Sequence, residues 1–170
     1  MTDYLGVSRR DAGAGLAISG SALLGAALIN LWNFFQRFGV PGFDSASIAE
    51  YSRGVNGVFV LGILLAPVIA MFVGTVVWRV MMPDEPAPRY GAVAGVVSAL
   101  SSLFVFAVSI SFMFFLSRAA AGALAEAIFE FLFFTVLISV FGGAITAPVI
   151  IPLGALVGYL YERYITDDQR

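Results

Sequence analysis

The sequence predicts an all-α integral membrane protein: four transmembrane helices arranged as two parallel two-helix repeats, with the second and fourth helices proline-kinked and extended beyond the bilayer. Three observations lead there: apolar stretches of spanning length, charge confined to the segments between them, and an apolar phrase written twice. Hydrophobic residues make up 60% of the chain and the mean hydropathy is +0.95, whereas soluble domains hold about 45–50% apolar residues. Only 12% of residues are charged. The apolar stretches run over 14 to 35, 57 to 80, 91 to 116 and 131 to 161, and a bilayer crossing takes about 20 residues.

Ahead of the first stretch stands Ser8-Arg9-Arg10-Asp11. Paired arginines also open twin-arginine export signals. Here Ala12 and Gly13 follow instead of large apolar residues, and no small-residue cleavage site introduces a soluble domain. The pair therefore reads as the orienting charge of an uncleaved first helix.

After that helix, Phe38-Gly39-Val40-Pro41-Gly42 forms a turn-rich break, and Ser47 with Glu50 has the spacing of a capping box. A second helix from about 48 to 81 is longer than the bilayer is thick, and Pro67 inside it predicts a kink. The segment 83–88 alternates proline with acidic residues and makes a stiff connection to the third helix. Before the fourth span, 119 to 131 predicts a second extension outside the lipid. The fourth stretch is too long for one upright span and too short for two, which predicts one extended or broken helix, distorted at Pro148 and Pro152.

The phrase GILLAPVI at 62–69 returns as GAITAPVI at 143–150. At an offset of 80, Ala14-Gly15 falls on Ala94-Gly95, Phe34-Phe35 on Phe114-Phe115, and Glu50 on Glu130. One inserted residue later, Gly62 falls on Gly143 and Pro67 on Pro148. The 170 residues thus form one transmembrane domain of two repeats, about 10–82 and 89–165. Units with an even number of spans enter from the same side, so the copies are parallel. Six arginines lie on the side of the termini and three on the other. That imbalance places both termini in the cytoplasm of a cell-membrane protein.

Helices in lipid associate through close packing rather than hydrophobic exclusion. Small residues at four-residue spacing supply the faces: Gly62, Ala66, Ala70 and Gly74; Gly91 and Gly95; Gly154 and Gly158. The aromatics Trp32, Trp78, Tyr159, Tyr161 and Tyr164 sit near span ends, as an interfacial belt does.

The chain holds no cysteine and no histidine, which removes thiol nucleophiles, imidazole acid–base work and the commonest zinc ligands. All nine basic residues are arginine and the balance is slightly acidic, a usage that resembles membrane proteins of extreme halophiles and offers nothing for nucleic acid. Glu126 and Glu130 share a helix face near the membrane boundary, and Glu50 adds a third carboxylate across the repeat axis, with Arg37, Arg53 and Arg118 as counter-ions. They form either an interfacial salt-bridge cluster or an external ion entry site. Asn30 and Asn33 lie on one face of the first helix, placed to bond the Ser109–Ser111 region or to line a polar path. The expectation is a non-catalytic structural or accessory subunit without cofactor or metal, not an enzyme, in contact with lipid and with copies of itself or another membrane protein. The alternative is a small transporter or channel subunit acting as an oligomer.

Overall fold

The structure is a computed structural model and describes residues 8–38, 50, 57–83 and 87–168. Helix α1 (Arg9–Phe38) opens on a reciprocal cap, in which Ser8 N donates to Asp11 Oδ2 at 3.0 Å and Asp11 N donates to Ser8 Oγ at 3.1 Å. Two otherwise orphaned donors are satisfied there, and Asp11 meets the positive end of the helix dipole. Helix α2 (Gly57–Met81) carries Pro67 in its interior. Ser47 and Arg53 lie outside the described residues, as do the surroundings of Gly62.

Helix α3 (Pro88–Ala120) begins with proline in its first turn, where the missing N–H has no partner to lose. It ends in a left-handed cap. Gly122 has φ +85°, Gly122 N donates to Ala119 O at 3.0 Å, and Ala123 N donates to Arg118 O at 3.3 Å. Those two bonds define a Schellman motif. The expected extension over 119 to 131 is therefore split: Ala119 and Ala120 close α3, and helix resumes only at Leu124.

From there α4 (Leu124–Leu137), a π turn (Ile138–Gly142) and α5 (Gly143–Asp168) run on as one rod. The fourth apolar stretch is thus continuous. Its apolar section, Leu124–Ile165, covers 42 residues, or about 63 Å at 1.5 Å per residue, roughly twice the hydrocarbon thickness. Aromatic rings hold α4 to the end of α3: Phe112 meets Phe131 at 6.5 Å and Phe114 meets Phe134 at 5.4 Å between centroids.

Among the described residues the chain is all-helical, with four helices long and apolar enough to cross a membrane. They form a ring in which α1 packs on α2, α2 on α3, α3 on α5 and α5 on α1, while the diagonal pairs barely meet. Small residues set the closest approaches. A Cβ added to Gly154 would lie 2.7 Å from Gly95 O, and one added to Gly91 would lie 2.5 Å from Gly158 O. Between α1 and α2, a Cβ on Gly15 would lie 2.5 Å from Met71 O, and one on Gly74 would lie 3.3 Å from Gly15 Cα. Ala70 is buried in the same layer, with Ala14, Ile18, Trp78 and Ala94. The outer faces are apolar: Leu64, Phe72, Val76 and Ile145 are each at least 60% exposed.

Candidate functional site

Four-residue stripes on the helices converge at the end of the bundle that carries both termini. Arg10 continues the buried α1 face of Ala14, Ile18 and Ser21. Trp78 follows Ala70 and Gly74, Ala87 precedes Gly91 and Gly95, and Glu162 follows Gly154 and Gly158. Three or four residues return a helix to the same face, so these terminal members point at one another.

Their chemistry is complementary. The Glu162 carboxylate is wholly buried and accepts Arg10 Nε at 3.1 Å, Arg10 Nη2 at 2.7 Å and Trp78 Nε1 at 2.7 Å. Ala87 N approaches Oε2 at 3.4 Å. Arg10 Nη1 donates to Pro83 O at 2.9 Å, and Tyr161 Oη donates to Arg10 O at 2.8 Å. The Trp78 and Tyr161 rings close edge to face at 5.9 Å. A two-pronged arginine–carboxylate pair fixes angle as well as distance, so this cluster clasps α1, α2, the connection and α5 together. Trp78, expected in an interfacial belt, is a buried donor instead, whereas Trp32 and Tyr164 do face outward. The sequence reading missed Glu162, which stands one residue beyond the fourth apolar stretch. The signal that would have found it is its place on the Gly154–Gly158 face.

Beyond the tightly packed layer the four helices separate around a partly open cavity of about 440 Å³. Ile18, Ser21 and Asn30 from α1, Ala66 from α2, Ser102 from α3 and Thr146 from α5 are among its walls. Its polar groups bond along their own helices. Ser21 Oγ donates to Ile18 O at 2.8 Å, Asn30 Nδ2 to Ala26 O at 2.8 Å, Ser102 Oγ to Ser98 O at 2.6 Å and Thr146 Oγ1 to Gly142 O at 2.8 Å.

Of the remaining predicted positions, Glu50 accepts Arg37 Nη2 at 3.1 Å and Glu130 accepts Arg118 Nε at 3.1 Å, each pair linking residues close in sequence. Glu126 is exposed, and no three acidic side chains gather closely enough to hold a metal among the described residues. Asn33 is exposed; Ser109 Oγ donates to Val105 O at 2.8 Å. Comparison with protein-family models, with curated proteins and with solved structures returns no match to this chain.

Proposed function

We propose that this chain is a multi-pass protein of the cell membrane with cytoplasmic termini, acting as a non-catalytic structural or accessory subunit beside copies of itself or another membrane protein. The observation that carries the reading is its inverted polarity: Glu162 and Arg10 are clasped inside while Leu64, Phe72, Val76 and Ile145 face outward. Water would penalise such a surface and lipid does not. The one fully buried carboxylate among the described residues is occupied with arginine and tryptophan, which favours holding helices over chemistry.

Two parallel repeats are part of the proposal. Supporting it, the ion pairs Arg37–Glu50 and Arg118–Glu130 recur at offsets of 81 and 80. Ala14 and Gly15 are buried as their counterparts Ala94 and Gly95 are. The residue inserted between Glu130 and Gly143 falls where the helix contains its π turn, the form a helix takes to absorb one extra residue. Pro67, Pro148 and Pro152 are taken as kink points in α2 and α5. Native mass spectrometry of protein extracted from its own membranes tests the subunit reading. A second polypeptide at fixed stoichiometry, or a discrete homo-oligomer, supports it; a lone monomer refutes it.

The cavity lined from all four helices favours a second reading, a small transporter or channel subunit. Its test is flux in liposomes, with loss on replacing Glu50 and Glu130 by Gln.

A further inference from the structure

The depth and lining of the cavity narrow what it can hold. Ile18 lies nine residues beyond Arg9, and Asn30 lies 21 beyond it, which puts the cavity about 13 to 32 Å from the arginine end of α1 at 1.5 Å per residue. That is the middle and far half of a hydrocarbon core about 30 Å thick. Its volume, about 440 Å³, is within the range of small-molecule sites. At about 30 Å³ per water-sized group it has room for roughly fifteen non-hydrogen atoms.

No charged side chain lines it; Ile18, Ile63, Leu103, Phe106 and Ile150 supply apolar surface. The hydroxyls of Ser21, Ser102 and Thr146 give their single hydrogens to helix carbonyls. What they offer inward is lone pairs. Asn30 gives an Nδ2 hydrogen to Ala26 O and adds an amide to the wall. Carboxylate and phosphate oxygens would still meet acceptors at all three hydroxyls, with no cation to balance their charge, and a cation would find no counter-charge to repay its desolvation. A neutral O–H donor on an apolar body satisfies both the walls and the hydroxyls.

A second cavity of about 340 Å³ adjoins the first and shares Leu103 with it. Leu100, Phe104 and Val140 line it and are themselves exposed on the outer face, so it opens toward lipid. Ser139, in the π turn, also lines it, and its Oγ has no hydrogen-bond partner. Leu103 thus faces both the central cavity and the lipid-side one, beside a π turn, a feature frequent at functional sites.

We propose that the central cavity binds the hydroxyl end of a neutral long-chain amphiphile, which enters sideways from the bilayer past Leu103. The inference rests on the membrane reading and is independent of the subunit reading. The test uses the full chain in liposomes with a diazirine-bearing long-chain alcohol as photolabel, competed by dodecanol or by dodecyl methyl ether, in which a methyl replaces the donor hydrogen. The label is expected on cavity residues of α1 and α3, and dodecanol is expected to compete about fivefold better than the ether, one hydrogen bond's worth. Ser102→Ala, which removes one acceptor with little change of shape, reduces that preference, and Ala66→Phe, which fills the space, removes cavity labelling. Equal competition by alcohol and ether overturns the proposal. So does labelling confined to outward residues such as Phe72 and Ile145 and unchanged by Ala66→Phe. Should Ala66→Phe fail to fold, the alcohol-to-ether ratio in Ser102→Ala decides alone. Failure of the membrane reading itself is distinguishable, because outward residues would then also go unlabelled.

Discussion

Replacing Arg10 by Met tests whether the clasp holds the bundle. Glu162 is wholly buried and takes two of its short hydrogen bonds and its counter-charge from this one side chain. Truncating one member of a buried ion pair leaves the other without compensation, at a cost of about 3–5 kcal/mol. At 1.4 kcal/mol per decade that is roughly two to three and a half decades in the folding equilibrium. Removing both members is a different perturbation, since an apolar pair of similar volume is often neutral or better. The double variant Arg10→Met/Glu162→Met should therefore recover most of the loss, less the bonds from Arg10 to Pro83 O and from Trp78 to the carboxylate. Unfolding in mixed micelles by added dodecyl sulfate can be followed by the fluorescence of Trp78 in a Trp32→Phe background, because Trp78 touches Glu162 directly. A single variant within about 0.5 kcal/mol of the parent, the scatter of ordinary surface changes, or a double variant as unstable as the single, would refute the reasoning.

Three further outcomes follow from local geometry. Gly154→Ala puts a methyl 2.7 Å from Gly95 O and 3.1 Å from Ala99 Cβ, so it should cost about 1–3 kcal/mol by overpacking. Gly20→Ala meets nothing within 4 Å and should be neutral or stabilising by up to about 1 kcal/mol; the same unfolding titration compares the two. Gly122→Ala has space but must hold φ at +85°, and should lose about 1 kcal/mol or more, read out as earlier proteolysis at the α3–α4 turn. Because the chain has no cysteine, Ser8→Cys and Ala121→Cys can each be labelled alone in sealed vesicles, and an impermeant maleimide should reach them from opposite sides.

The helices were legible because spanning length and hydropathy are properties of contiguous residues. The spacing of Gly91, Gly95, Gly154 and Gly158 announces a packing face on each helix, but not that the two faces meet in an α3–α5 seam. The clasp was not legible. Arg10 and Glu162 stand 152 positions apart, and each looks like an anchor at a span end until its helix face is considered. The central cavity is likewise a property of ring geometry: Ala66 reads as a packing residue, yet with Ala22, Ala26 and Ala99 it lines a space. The local ion pairing of Glu50 and Glu130 is decided by which arginine lies within reach, which spacing alone left open.

If the two units are copies, the clasp marks where they have diverged. At the offset of 80 in the first helix of each unit Arg10 corresponds to Tyr90, and at the offset of 81 in the second helix Trp78 corresponds to Tyr159 and Glu162 to Met81. Tyr90 and Tyr159 are exposed while Arg10 is largely buried and Trp78 fully so, so the polar lock has no twin although Gly15 and Gly95 are both buried at a seam. Electrostatics gives a reason. A second buried carboxylate near the axis would face the first across an interior of low dielectric, where like charges repel strongly. A single carboxylate held by a single guanidinium leaves the buried pair neutral. Gly158, one residue before the counterpart of Trp78, lets α5 approach Gly91 closely enough for Ala87 N to come within 3.4 Å of Glu162 Oε2. The lock and the tightness of the α3–α5 seam are thus one structural solution, and placing a large side chain at Gly158 should disturb both.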